Sequence, residues 1–231
     1  MIYNINNISI DFLWNWSKPS VVRASIQTSM NIIKNNDKAI ARWISHLISP
    51  HMVGIVLVSA LAVRFSDKPG TILLWLALLI PLLVAPPLIY LFWLVHKGTI
   101  EDIYMPRRET RLRPLAVVMV WLVLCLSLLR YWQAPPIVET FVLSATVLVG
   151  ILSVVTLFWK ISFHGAAISA AATTTMMVAG SHAWPIVLLV PLVGWARVRL
   201  ERHTTRQVIY GSLVGALIGL IFVYSFLPSS Y

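Results

Sequence analysis

The chain has 231 residues, of which 58% are hydrophobic and only 11% are charged, and its mean hydropathy is +0.82. Soluble domains average about 45–50% apolar and about 25% charged residues, so the composition excludes an ordinary soluble protein and predicts an integral membrane protein of one domain or at most two small ones. The single cysteine, Cys125, excludes an intrachain disulfide and a multi-cysteine metal site. The net charge of +10 is explained by the basic residues that orient a protein in the membrane, so no nucleic-acid partner is expected.

The first 48 residues are predicted to form an N-terminal segment distinct from the rest. Their opening stretch, MIYNINNISIDFLWNW, lacks the basic start and continuous apolar core of a secretory signal, so an uncleaved transmembrane helix is expected to direct insertion. Within 18–48, apolar residues recur at steps of three, four and seven, which predicts a basic amphipathic helix lying in the membrane interface. Its apolar face consists of Ile26, Met30, Ile33, Ile40, Trp43, Ile44 and Leu47.

Residues 49–231 carry the apolar segments of a transmembrane domain. A bilayer core about 30 Å thick requires about 20 residues of helix, and the fifth and sixth segments are short by this measure. The predicted fold class is therefore an all-α polytopic membrane bundle of six to seven transmembrane helices. The apolar segments lie at 49–66, 71–96, 114–132, 136–159, 164–180, 184–197 and 206–227.

Prolines and glycines add detail to two of these segments. Inside 71–96, three prolines predict a kink, at Pro81, Pro86 and Pro87. In 206–227, glycines recur at every fourth position and predict close contact with a neighbouring helix, at Gly211, Gly215 and Gly219. The run GAAISAAATTTMMVAG gives the fifth segment a similar small-residue surface.

Basic residues are distributed unequally between the two sides of the membrane. With seven crossings, all but three of the 18 lysines and arginines lie on the side of the N-terminus, the exceptions being Arg64, Lys68 and Arg130. The positive-inside rule places the N-terminal side in the cytoplasm and predicts a multi-pass protein of a bacterial-type cytoplasmic membrane. Basic residues that bind a ligand would cluster in either orientation, so the sidedness stays open, with the charge bias favouring the cytoplasm.

Three polar clusters interrupt the apolar pattern: EDIYMPRRETRLRP at 101–114, KISFH at 160–164 and WARVRLERHTTRQVIYG at 195–211. Two crossings separate the first cluster from the second, and two more separate the second from the third. Since an even number of crossings returns the chain to the same face, all three clusters are expected at one membrane surface, where they could form a composite site.

The residue types in these clusters suit phosphoryl chemistry. His203 and Gln207 are one helical turn apart, so the glutamine can reach an imidazole nitrogen. Lys160, Ser162 and His164 open the fifth segment, and a helix N-terminus is well suited to an anion. A neutral imidazole could attack phosphorus and a protonated one could donate to the leaving oxygen, while arginines hold the phosphate oxygens.

The order and spacing of the clusters resemble those of the type 2 phosphatidic acid phosphatases, an integral-membrane family related to the vanadium haloperoxidases. Its signatures are K-x6-R-P, then P-S-G-H, then S-R-x5-H-x3-D. The third is present as ARVRLERHTTRQ, with Arg197 and His203 at matching positions. The second is present as ISFH, where the serine and histidine match but isoleucine and phenylalanine replace proline and glycine. The first, RRETRLRP, matches at its final Arg-Pro and has Pro106 at the lysine position.

The resemblance implies roles for individual residues. His203 would be the nucleophile that forms a phosphohistidine, and His164 the general acid for the departing alcohol. The resemblance also implies phosphate binding by Arg197, Ser162 and Arg113. Lys160 is our own candidate for the missing lysine of the first motif, and Arg107 or Arg108 is a nearby alternative. No metal and no cofactor are expected.

Gln207 is the main departure from the family, which has aspartate there. A glutamine carbonyl accepts the imidazole N–H bond but carries no charge, and in serine proteases the comparable change from Asp to Asn costs about 10⁴ in rate. The sequence nevertheless favours a metal-independent lipid phosphate phosphatase acting on a lipid or isoprenoid phosphate in the bilayer. Homo-oligomer formation stays open.

Two other classes remain as alternatives. A catalytically weak or inactive relative that binds lipid phosphates or has a structural role is favoured by Gln207 and by the altered second motif. A small transporter or an unrelated membrane protein gains less support, because the charges gather at one surface instead of lining the apolar segments.

Overall fold

The computed structural model describes residues 36–65, 68–100 and 109–226, which are helical with short connections and contain no strand. The helices are α1 (Asn36–Leu47), α2 (Pro50–Arg64), α3 (Pro69–His96), α4 (Leu112–Tyr131), α5 (Pro136–Phe158), α6 (Phe163–Ala179), α7 (Leu189–Arg199) and α8 (Thr205–Phe226). Two 3-10 segments occupy Glu109–Arg111 and Gly180–Leu188. The first part of the predicted amphipathic helix, Arg107 and Arg108 lie outside the described residues.

Among the described residues, five helical stretches are long and apolar enough to cross a membrane, or six when α1 and α2 are taken together as one bent span. The all-α membrane class predicted from the sequence is therefore supported at this level. Many large apolar side chains, such as Leu74 and Val120, are not covered by protein. A bilayer would bury such side chains, whereas contact with water would disfavour them.

The stretch Phe163–Arg199 contains α6, a 3-10 segment and α7. A straight helix at 1.5 Å per residue would separate residues 164 and 197 by about 50 Å. Instead, α7 packs against α6, and the guanidinium of Arg197 interacts electrostatically with the imidazole of His164. The chain therefore turns back within Gly180–Leu188, and the end of α7 returns to the start of α6.

The most extensive helix contact in the described chain joins α6 and α8. A Cβ atom built on Gly211 would lie 2.5 Å from the carbonyl oxygen of Ser162, and one built on Gly215 would lie 2.0 Å from the carbonyl oxygen of Ala166. Real Cβ atoms essentially never come this close to other heavy atoms. The glycine repeat predicted to support close helix packing is confirmed, because a side chain at these positions would force the two backbones apart.

Helix α3 continues through its three internal prolines. Pro86 has no N–H, so it cannot bond to the carbonyl of Leu82 four residues earlier. The indole Nε1–H of Trp121, on α4, donates to that carbonyl oxygen at 2.8 Å. A neighbouring helix thus satisfies the backbone group that proline leaves open, as a membrane interior requires.

Helix α1 has two distinct faces. Ile40, Trp43 and Leu47 are exposed on one side, whereas Ala41 and Ser45 are buried on the other. The axis then bends by 43° between α1 and α2. At the break, the hydroxyl of Ser49 caps α2 by accepting the N–H of Met52 at 3.4 Å, and proline follows at the first helical position.

Candidate functional site

The start of α6 and the start of α8 are joined directly by backbone. The N–H of Ser162 donates to the carbonyl oxygen of Gln207 at 3.2 Å. One turn further along each helix, the Ser212 hydroxyl donates to the carbonyl oxygen of Gly165 at 3.4 Å. The second and third polar clusters of the sequence therefore lie together at one end of the helical bundle.

Ser162, predicted as a phosphate ligand, is fully buried and is the N-cap of α6. Its hydroxyl oxygen accepts the N–H of Gly165 at 3.2 Å. A hydroxyl that accepts in this way retains its own proton for donation, so it could also bond a phosphate oxygen placed before the helix. The structure thus gives Ser162 a folding role, and that role is compatible with anion binding.

Helix α8 begins with a capping box. The Thr204 hydroxyl accepts the N–H of Gln207 at 3.4 Å, and the Gln207 side-chain oxygen accepts the N–H of Thr204 at 3.2 Å. This reciprocal arrangement satisfies two of the backbone donors that a helix N-terminus leaves open. Gln207 therefore has a structural reason to be present, independent of any chemistry.

The same Gln207 oxygen lies 3.1 Å from Nδ1 of His203. Because a backbone N–H of Thr204 also donates to this atom, it must be the amide oxygen and not the nitrogen. An amide oxygen only accepts, so Nδ1 of His203 carries the proton and Nε2 carries a lone pair. The side-chain pair predicted from the four-residue spacing is present, and it orients the imidazole with Nε2 available as a nucleophile.

Three cations, Arg111, Arg197 and Lys160, lie close enough to His203 to affect its pKa. Burial lowers the pKa of His203 to about 3, with further lowering by the charges of Arg111, Arg197 and Lys160, while the bond to the Gln207 side chain raises it. Burial, and then Arg202, lowers the pKa of Arg111 to about 10. The pKa of Lys160 is lowered by burial and then by the neighbouring arginines. Neighbouring cations thus disfavour the charged forms of Arg111 and Lys160, so an anion among them would be stabilised.

His164 is linked to a different element. Its Nε2–H donates to the backbone carbonyl oxygen of Ser45, in α1, at 3.3 Å. A carbonyl cannot donate, so in the neutral ring Nδ1 carries the lone pair. The predicted role as a general acid then requires the doubly protonated ring. The imidazole also interacts electrostatically with Arg197 and His203, which places it beside the cation cluster.

The first polar cluster contributes a different arginine from the one expected. Arg113 is exposed, whereas Arg111 is buried and interacts with His203. Residues two positions apart in a helix point in nearly opposite directions, so both cannot face the site. In the sequence, Arg111 is distinguished only by its position two residues before the Arg-Pro pair. That position does not predict which of the two arginines points into the site.

Two further features bear on ligands. Among the described residues, no group of three or more His, Cys, Asp or Glu side chains could hold a metal ion. An apolar cavity of about 100 Å³ lies deeper in the bundle between α2, α5, α6 and α8, with Gly54, Ala145, Ala167 and Phe222 in its wall. Ala167 is one helical turn beyond His164, so the cavity begins close to the polar cluster.

No protein-family model, curated protein or solved structure matches this chain.

Proposed function

We propose that this chain is a membrane-embedded hydrolase that removes phosphate from a lipid or isoprenoid phosphate or diphosphate through a phosphohistidine on His203. The tautomer of His203 is the observation that carries the proposal. Its Nδ1–H bond to Gln207 leaves the Nε2 lone pair of a neutral ring among Arg111, Arg197 and Lys160. A nucleophile for phosphorus needs such a lone pair, and the developing charge needs such cations.

The proposed reaction has two steps. Nε2 of His203 attacks phosphorus, and the bond to the departing alcohol or phosphate oxygen breaks as the N–P bond forms. His164, when doubly protonated, gives a proton to that oxygen. Water then attacks the phosphohistidine and gives a proton to the now neutral ring of His164, the N–P bond breaks, and inorganic phosphate is released with the neutral imidazole of His203 regenerated. The cations and the N–H groups at the start of α6 would hold the phosphate oxygens throughout.

The proposed membrane topology follows from the turn between α6 and α7. Counting the two as separate passes gives seven crossings, with α1 lying in the interface and the site at the cytoplasmic face that the basic residues favour. The headgroup would approach from that surface. The apolar cavity beyond His164 would accept part of the substrate's hydrocarbon tail.

A second candidate is a weak or inactive relative that binds lipid phosphates without hydrolysing them. The capping box favours it, because the Gln207 oxygen is already shared with the Thr204 N–H. Gln207 also brings no negative charge to stabilise a positively charged phosphohistidine. The cation cluster would serve binding equally well in this case.

Phosphate release by the purified protein in detergent distinguishes the two candidates. The substrates are phosphatidate, lysophosphatidate, farnesyl diphosphate and undecaprenyl diphosphate, with the His203→Ala variant measured in parallel. Hydrolysis is expected with at least one substrate and should disappear in the variant. Equal release from both proteins would remove the hydrolase proposal, and lipid phosphate binding without release would favour the second candidate.

Two arginine variants test the composition of the site. Arg111→Gln is expected to lower kcat/KM by about 10²-fold, as the loss of one buried donor to a transition-state oxygen does elsewhere. Arg113→Gln removes a charge of the same kind from an exposed position and should leave kcat/KM within about threefold, a change of under 1 kcal/mol. The opposite ranking would show that Arg113 is the phosphate ligand.

A further inference from the structure

The polar site is covered by protein. Ser162, Arg197 and His203 expose only 0%, 3% and 7% of their surface. Lys160, His164 and Arg202 of the same cluster are only half-buried, so the cover is incomplete. A phosphate group held by Ser162, Arg197 and His203 together would need more access to these three side chains than the structure gives them. A covering element that moves would give a phosphate group this access.

Helix α1 contacts both segments that flank the cluster. At its start, Asp37 pairs with Arg199 at 3.4 Å and Lys38 pairs with Glu201 at 3.1 Å. Near its end, the Ser45 carbonyl accepts the Nε2–H of His164. The helix thus extends from the loop that leads to His203 across to the start of α6.

We propose that α1 is a hinged lid over the polar site, and that its Ser45 carbonyl positions His164 when the lid is closed. The proposal relies on the proposed function only for the identity of the molecule that enters. Opening α1 would admit a phosphate headgroup, and closing it would return the hydrogen bond that fixes the imidazole of His164.

The contacts of α1 suit an element that opens. The Lys38–Glu201 pair is exposed and the Asp37–Arg199 pair is half-buried, so water and salt reach both and each contributes little. The axis already breaks between α1 and α2, where Ser49 caps a new helix and Pro50 cannot continue the hydrogen bonds of the old one. The exposed side chains of Ile40, Trp43 and Leu47 would remain in contact with lipid as the helix swings.

A reversible lock tests the lid directly. Lys38→Cys and Glu201→Cys are combined in a Cys125→Ala background, and the introduced thiols are joined with a bismaleimide that contains a reducible disulfide. The readout is the rate at which diethyl pyrocarbonate modifies His203, followed by mass spectrometry. Locking should slow this modification by about tenfold or more, because a lid that cannot open leaves no exposed population, and reduction should restore the rate.

The controls separate a lid from a general effect of the reagent. The exposed His182 should be modified at the same rate in the locked and reduced protein. Each single-cysteine variant treated with the same reagent should behave like the reduced protein. Equal His203 modification in the locked and reduced protein would overturn the lid. The modification of His203 can be measured whether or not the protein hydrolyses a substrate. A lack of phosphate release would therefore contradict the proposed function, whereas the lid is tested by the modification rates alone.

Charge exchange gives a second, independent measurement. Asp37→Arg breaks one ion pair and should raise the rate of His203 modification by about twofold to fivefold, the range that an exposed pair supports. Arg199→Asp should also raise the rate, and the double exchange, which restores a pair of opposite charges, should raise it less than the sum of the two single changes. If the increases in the modification rate from the two single changes simply add in the double variant, the Asp37–Arg199 pair does not hold a lid closed.

Discussion

Replacing Gly215 by alanine tests the contact on which the whole site depends. A Cβ atom at this position would lie 2.0 Å from the carbonyl oxygen of Ala166 and 2.7 Å from its carbonyl carbon. Both atoms belong to the backbone of α6 and cannot rotate away. Ordinary van der Waals contact begins near 3.4 Å, so α6 and α8 must separate by more than 1 Å.

The expected cost follows from this displacement. Overpacking a close-packed interior costs about 1–3 kcal/mol, and a backbone obstruction belongs at the upper end of that range. The gain in helix propensity from glycine to alanine offsets at most about 1 kcal/mol. A net loss of about 2 kcal/mol would lower Tm by about 4–8 °C for a chain of this size. Because α6 and its N-cap carry His164 and Ser162, a 1 Å shift would also lower the kcat of the proposed hydrolase by about 10²-fold.

Thermal unfolding in detergent is the assay, with Gly150→Ala as the matched control. A Cβ atom on Gly150 would meet only the flexible end of Met119, at 3.5 Å, so this variant should keep or slightly raise Tm. Both changes add one methyl group to a helical glycine. If the two variants had the same Tm, the close approach of α6 and α8 would not be a feature of the folded protein.

Trp121→Phe should lower the free energy of unfolding by about 1–3 kcal/mol, because it leaves the Leu82 carbonyl without its donor. In a Pro86→Ala background, Trp121→Phe should lower the free energy of unfolding by less, since residue 86 regains an N–H that can bond the Leu82 carbonyl. An equal loss in both backgrounds would show that Trp121 does not replace the bond that Pro86 lacks. His203 has a folded pKa of about 3 against an ordinary 6.5, so the unfolded state takes up a proton first as pH falls below about 6.5. Wild-type stability should therefore drop by about 2 kcal/mol more than that of His203→Asn between pH 7 and pH 5, and an equal drop in both proteins would contradict the burial of a neutral His203.

Residue spacing predicted those parts of the structure that depend on helix geometry. The four-residue step from His203 to Gln207 placed their side chains in contact, and the four-residue glycine repeat predicted the surface of α8 that meets α6. Both patterns repeat with the period of the helix itself. The apolar runs likewise predicted helices long enough to cross a membrane.

Two other features of the site could not be predicted from the residue pattern. The contact to His164 comes from the backbone carbonyl of Ser45, and every residue type has the same carbonyl. The inward turn of Arg111 depends on where the short 3-10 segment ends and α4 begins, and such boundaries shift by one or two residues with little change in sequence. Tertiary packing decides both features.

Gln207 links the folding of α8 to the chemistry of the site. One amide oxygen accepts the Thr204 N–H that starts the helix and the Nδ1–H that orients His203. A carboxylate at this position would also favour a charged imidazole, which the surrounding cations already oppose. Burial and the surrounding cations keep His203 neutral, and Gln207 adds no negative charge that would oppose them. In the proposed mechanism, Gln207 would likewise give no charge stabilisation to a positive phosphohistidine. In the proposed hydrolase, the substrate phosphate would then supply the negative charge at the site, and hydrolysis of the intermediate should be slower than its formation.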